Sequence, residues 1–241
     1  MRIDPTELGA ERIYRLMTGI VVPRPIAWVT SLSATGVLNL APFSAFTFVS
    51  QKPPMLAISV GRKGADYKDT AHNILDTEEY VIHIADTPLM SAVHDSSVEH
   101  PPEISEVEHL GLETIPSERI KVPRLAAAPA AMECRFRQCL EFGEAKSRLI
   151  VGEVVMFHLR DGLVNDGKVE TKALDPIARI GGPRYARLGE IVTLNTVFQT
   201  PKSKLTTERA ASRAARHKLE NDHATPELSR GRRAALRRGR R

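Results

Sequence analysis

The run Ile26-Ala27-Trp28-Val29-Thr30, followed after Ser31-Leu32-Ser33 by Ala34-Thr35-Gly36 and then Val37-Leu38-Asn39-Leu40-Ala41, reads as two strands around a tight turn. Aromatic and β-branched residues fill the first arm, and the small Ala-Thr-Gly segment reverses the chain before the second. Pro23 and Pro25 just upstream fit an exposed entry or a sheet edge, where a missing N–H costs no ladder bond. Working outward, Met55 to Val60 predicts a further strand closed by Gly61. Asp69 to Glu79 predicts a helix with Ala71, Ile74 and Leu75 on one face, and Tyr80 to Ala85 returns to strand character. Met132 to Phe142 and Leu149 to Leu159 predict longer strands separated by Gly143 to Lys146. Asp161 to Lys168 supplies another turn, and Glu190 to Leu194 a last strand. The Pro-, Glu- and His-rich stretch Asp86 to Pro129 predicts short helices and long loops. The hairpins follow too closely for repeated βαβ crossovers. A mainly β fold results, an antiparallel barrel closed or nearly closed with short flanking helices, because closure leaves few unprotected edges.

A chain of 241 residues has room for one substantial core, and 42% apolar with 26% charged residues excludes fibrous and wholly disordered classes. No run approaches bilayer length, and the N-terminus Met1-Arg2-Ile3-Asp4-Pro5 predicts no signal peptide. Only two cysteines occur, which suits a reducing compartment, so a cytoplasmic protein without membrane association is expected. The charge is divided unevenly. Residues 202–241 hold thirteen Lys or Arg against four Asp or Glu, a balance of +9, and the remaining 21 basic and 25 acidic residues leave the body at −4. The expected organisation is a barrel domain over 1–200 and a basic, Arg-rich tail over 201–241. A mobile or partly helical tail that tunes solubility is one reading, and nonspecific contact with polyanions the other. Specific nucleic-acid binding is not expected, because the excess charge sits wholly in the tail.

Two polar sets stand out. Arg62-Lys63-Gly64-Ala65-Asp66-Tyr67-Lys68-Asp69-Thr70-Ala71-His72-Asn73 lies between a strand and a helix. Free N–H groups at a helix start receive anions, with Lys68 as a point charge, Thr70 as a hydroxyl and Arg62 as a planar fork. A solvated turn capped by Asp69 or Thr70 is the alternative. The second set, Thr30, Ser31, Ser33, Asn39 and Ser44 among Ala41, Pro42 and Phe43, offers rim hydrogen bonds and apolar faces to a flat ligand. Ordinary turn satisfaction is its alternative. Together the sets point to a phosphorylated, ring-bearing ligand.

Other chemistry is weaker. Cys134 and Cys139 are five positions apart, so on one regular strand they face opposite ways, against both a disulfide and a joint metal site. His83 and His158 read as packed or hydrogen-bonded histidines. His94, His100 and His109 match no zinc spacing, and no metal is expected. Trp28 reads as core or interface packing.

In order and spacing, Arg24-Pro25-Ile26-Ala27, Thr30-Ser31, Gly36, Asn39-Leu40-Ala41-Pro42-Phe43-Ser44 and Lys68-Asp69-Thr70-Ala71-His72-Asn73-Ile74 resemble the flavin reductase-like family. The likeness continues through Val151-Gly152-Glu153-Val154, Asp166-Gly167-Lys168-Val169, Ala178-Arg179-Ile180-Gly181-Gly182 and Tyr185-Ala186-Arg187-Leu188-Gly189-Glu190. The resemblance implies an FMN-binding split β-barrel, a homodimer with two FMN molecules near the subunit interface. It implies Thr30, Ser31, Asn39, Ala41, Pro42 and Ser44 along the isoalloxazine and ribityl parts, and Arg62, Lys68, Thr70 and Asn73 around the phosphate. Asp69 would be a cap or a partner for a base, Tyr185 a late contributor, and Asp86 to Pro129 a cover on the substrate side. The implied activity moves hydride from NADH or NADPH onto FMN N5, then electrons to free flavin, a partner monooxygenase or another acceptor. That chemistry needs no protein nucleophile. An FMN-binding electron-transfer or carrier protein is the implied alternative. No dinucleotide fingerprint appears, so a nicotinamide would dock transiently.

Overall fold

Alternating side chains along the first hairpin give the molecule an inside and an outside. The computed structural model describes residues 1–64 and 66–195. Strand β1 (Ala27–Leu32) pairs antiparallel with β2 (Leu38–Phe43) through a turn in which Ser33 N–H donates to Val37 O at 2.9 Å. Gly36 takes φ 88° there, a left-handed angle that a Cβ disfavours. Ala27, Val29 and Phe43 face a buried cluster with Leu56, Ile58, Tyr80, Ile82, Cys134 and Ile150. Ile26, Trp28 and Leu40 face a second cluster with Val93, Val107 and Leu125.

Strands β3 (Phe46–Gln51), β4 (Pro54–Val60), β5 (Glu79–Ile84), β6 (Ala130–Phe142) and β7 (Ser147–Leu159) complete a seven-stranded sheet in the order β2-β1-β5-β6-β7-β4-β3. Its edge strands β2 and β3 are successive in the chain, with only Ser44 and Ala45 between them. Three Cα steps reach at most about 11 Å. The sheet must therefore curl until its edges approach, giving a split barrel around the first cluster.

Short helices flank it, among them α1 (Ala10–Ile20), α2 (Asp69–Thr77), α3 (Met90–Asp95) and α4 (Glu106–His109). Helix α2 sends Ala71 and Ile74 into the barrel core. Helix α4 covers the β2 edge. Leu40 N–H donates to Glu106 Oε2 at 2.9 Å, Ser105 Oγ donates to Leu38 O at 2.6 Å, and Pro42 has no N–H to offer. The exposed edge is thus left without ready donors for a foreign strand. Burial raises the Glu106 carboxyl above its usual range, against the lowering pull of the Leu40 N–H. None of the helices among the described residues is long and apolar enough to cross a membrane.

Two expectations change. Glu190 to Leu194 forms no strand; these residues run irregularly. Among the described residues Ile-Val-Thr-Leu has no partner ladder, and without one it gains nothing from extension. Cys134 and Cys139 do not face opposite ways, since both pack against the barrel core. A register shift between Phe136 and Gln138 inserts one residue and restores the same face. Burial raises both thiols, and no disulfide joins them. Elements α1 and β3 lie beyond the sequence expectation. The chain divides into two units, Met1–Ile191 and Val192–Arg241, and the basic tail 201–241 lies outside the described residues.

Gly152 is required by a close approach. A Cβ there would stand 2.1 Å from Tyr80 Oη and 2.8 Å from its Cζ, and Tyr80 is fully buried. Gly152→Ala is expected to lower stability by about 1–3 kcal/mol in urea unfolding. Adding Tyr80→Phe removes the nearest atom and should return part of that loss, a coupling readable in a double-mutant cycle.

His83, fully buried on β5, has Nδ1 2.9 Å from Trp28 O, and its Nε2 accepts from Leu125 N–H at 2.9 Å. Donating at one nitrogen and accepting at the other, the ring is neutral. Burial holds its pKa at about 4 against an ordinary 6.5. The unfolded chain takes up the proton first, so the contribution is full above pH 6.5 and lost as pH falls toward 4. The gap is worth about 3 kcal/mol. The urea midpoint should fall across that window, and the fall should be shallower in His83→Gln.

Candidate functional site

The strand-to-helix connection that precedes α2 is a short hairpin, Arg62–Lys63 against Asp66–Tyr67, with Gly64 at φ 59°. Lys68 then occupies the N-cap position of α2 and Asp69 its first turn. No side chain caps this helix, so the alternative of a turn capped by Asp69 or Thr70 does not form. Ala71 N–H bonds back to Lys68 O at 2.8 Å, while the N–H groups of Asp69 and Thr70 have no acceptor within the helix. Positive ends of this kind attract phosphate. Lys68 Nζ lies 3.7 Å from Glu99 Oε1, and Lys63 Nζ donates to His100 O at 2.9 Å, which brings the loop after α3 beside the cradle.

Arg62 and Arg148 both lie over the Tyr67 ring, 4.6 and 3.3 Å from its centroid. Tyr67 Oη donates to Glu141 Oε2 at 2.6 Å, and that bond raises its phenol above the usual range. Asp66 Oδ1 accepts from Tyr67 N–H at 2.7 Å and sits 3.0 Å from His72 Nε2, so its carboxyl is lowered by the backbone bond first and by His72 second. Arg62 is thereby set in a hairpin fastened to the tip of the β6–β7 ribbon.

Behind the cradle, four expected residues meet. Asn39 Nδ2 donates to Thr70 Oγ1 at 2.9 Å, and Asn73 Nδ2 donates to Ser31 Oγ at 3.2 Å. Ser31 opposes Asn39 in the hairpin register, and all four side chains are buried. They pin the start of α2 to the first hairpin, and the Thr70 hydroxyl keeps its own proton to donate. Ala41 packs on the same face.

Thr30 and Pro42 lie elsewhere. Alternation puts them on the outer face, and the buried Thr30 hydroxyl donates to Pro123 O at 2.9 Å. Ser44 marks the corner between the sheet edges, accepting from Arg24 Nε at 3.2 Å. Arg24 also donates to Thr18 O and Val21 O at 2.7 Å and to Ile180 O at 3.0 Å, gathering three segments at the corner. Tyr185 belongs to this outer side. Its Oη accepts from Arg179 Nη1 and lies 3.3 Å from His94 Nδ1, and burial raises its phenol against the pull of Arg179. His100 and His109 have ring centroids 5.0 Å apart while His94 stands with Tyr185, so the three loop histidines do not converge. Among the described residues no cluster has a metal-ligand arrangement.

The sequence chemistry does not single out Arg24, Arg148 or Glu99, and it marks His94 only as a loop histidine without zinc spacing. Arg24 stands in a quoted motif, which is a usable signal. Arg148 reaches Tyr67 only because the long ribbon folds back over the hairpin, and spacing carries no trace of that.

The flavin reductase-like domain model matches residues 17–172. An uncharacterized protein of Halalkalibacterium halodurans is 40% identical over 200 residues, covering 81% of this chain and 96% of that protein. Among solved structures, nitrilotriacetate monooxygenase component B from Bacillus cereus superposes with a TM-score of 0.78 at 38% identity, over 80% of this chain and 98% of the other. The Pseudomonas fluorescens 2-nitrobenzoate 2-nitroreductase NbaA does so at 0.76 and 33%, over 83% and 98%. The matched region contains the first hairpin, the cradle at α2 and the β6–β7 ribbon, and by these likenesses the chain belongs to the flavin reductase-like family of FMN-binding split barrels, with flavin-linked oxidoreductase chemistry.

Proposed function

We propose that the protein is an FMN-dependent oxidoreductase that accepts hydride from NADH or NADPH and passes electrons to free flavin, a partner monooxygenase or another acceptor. The supporting observation is the cradle: Lys68 at the start of α2, beside helix N–H groups with no internal acceptor, fixed to the hairpin through Asn39–Thr70 and Asn73–Ser31. These donors suit a phosphate dianion. Bound FMN supplies hydride and electron transfer at its isoalloxazine N5. Lys68, the Thr70 hydroxyl and Arg62 would hold the phosphate, while the buried Ser31, Asn39 and Asn73 position the helix rather than touch the ligand. From Asn39 to Ser44 the edge strand runs about 17 Å, a line along which the ring would reach the corner held by Arg24. Tyr185, with His94 and Arg179, would close the far side. Two similar solved structures support both acceptor types, one a monooxygenase component and one a nitroreductase. Two free thiols accord with a cytoplasmic location.

We also propose a homodimer. Helix α1 buries none of its residues, yet Tyr14, Met17 and Ile20 stand 68, 60 and 75% exposed at helical spacing. A second copy of the chain would cover that stripe.

Three outcomes check these readings. With FMN bound, anaerobic NADH or NADPH should bleach the flavin absorption within seconds; retained flavin that neither nicotinamide reduces would leave only a carrier. Lys68→Ala should weaken FMN by about tenfold or more and riboflavin little, the loss of one charge-assisted bond. Fluorescence titration reads both; equal weakening would mean general disruption, and no weakening of either would place the phosphate elsewhere. In sedimentation the full chain should run at twice its mass, and Met17→Glu should shift it toward monomer.

A further inference from the structure

The geometry points to a second ligand site, for a small carboxylate with a flat apolar body, in the cleft between residues 124–128 and the paired ends of β6 and β7. The cleft measures about 490 Å³, within the range of small-molecule sites. None of the residues expected around the flavin lines it.

Its polar lining is unequal and mixes one carboxylate, Asp161, with Arg124, His158 and Arg160. Arg160 Nη1 donates to Asp86 Oδ2 at 3.2 Å, so that cation has its counter-charge. His158 Nε2 lies 2.6 Å from Glu133 Oε1, and the buried Glu133 also accepts from the N–H groups of Glu118 and Arg119 at 2.8 and 2.7 Å. Arg124 is different. Its Nε is buried without a hydrogen-bond partner, and among the described residues no carboxylate lies within ion-pair distance of its guanidinium. A part-buried cation with an orphaned donor is costly. A carboxylate entering the cleft would supply the counter-charge that the Arg124 guanidinium lacks.

The remaining wall selects the body of the ligand. Ala126, Ala127, Ala128 and Ala131 are short, and Phe157 stands 53% exposed at the rim. Small side chains leave a slot, and an uncovered phenyl ring gains from a flat apolar partner. Bare phosphate would answer Arg124 and leave this wall wet. The slot is also held in place. Leu125 N–H donates to buried His83, Arg160 N–H donates to Pro129 O at 2.8 Å, and Thr30 Oγ1 donates to Pro123 O. Arg124 is therefore presented on a fastened segment.

Isothermal titration of the full chain without flavin provides the test, with benzoate as probe, benzyl alcohol as the body without charge, and inorganic phosphate as the charge without body. Benzoate is expected to bind saturably and more tightly than either. Arg124→Gln should weaken it about tenfold or more, as expected for a charged hydrogen bond. Ala127→Leu, at an exposed position, keeps the charge, fills the slot and should also abolish binding. Thermal melts confirm that each variant is folded. The proposal fails if benzoate gives no saturable heat at millimolar concentration, or if benzyl alcohol or phosphate matches it. It fails equally if both folded variants bind benzoate like the wild type.

Discussion

Two residues, Ser44 and Ala45, join the first and last strands of a seven-stranded sheet, and that short tether governs the molecule. A flat sheet of that width would hold its edges far apart, at about 4.8 Å per strand spacing. The tether forbids it. The sheet curls, the inner faces of β1 to β7 enclose one apolar cluster, and the outer face collects α3, α4 and the 120s segment around Trp28 and Leu40. Arg24 reinforces the corner by binding Ser44 together with the carbonyls of Thr18, Val21 and Ile180.

Curling also builds the site. The edge strand β2 and the start of α2 are about thirty residues apart in sequence, yet Asn39 meets Thr70 and Ser31 meets Asn73 because the helix lies over the end of the barrel. The buried quartet fixes where the free N–H groups of α2 point. Charge then sits where the structure is well fastened, with Lys68 on the helix and Arg62 on a hairpin tied by Tyr67 to the ribbon tip. Preorganised donors of this kind lose little freedom when an anion arrives.

Local rules made much of this legible. The first hairpin, α2 and the long ribbon declared themselves through alternation, helical spacing and turn residues, and their order carried the family resemblance. What escaped depended on tertiary closure. Phe46 to Gln51 reads as a loose apolar run until the corner forces it against β4. Thr30 and Pro42 share a motif with Ser31 and Ala41, but alternation across the sheet sends them to the opposite side, where Thr30 serves Pro123. The inserted residue near Arg137 reverses the facing of Cys139, and no composition rule announces a bulge. Glu190 to Leu194 has strand chemistry and no strand, since propensity without a neighbour forms no ladder.

The bond from Leu40 N–H to Glu106 has a dynamic consequence. An amide on the outward side of a sheet edge exchanges with solvent readily, but this one is protected by a carboxylate carried on a four-residue helix. Helix α4 is too short to persist alone. Protection at Leu40 therefore lasts only while α4 stays docked, and hydrogen exchange at that single amide measures how often the outer cover lifts from the barrel.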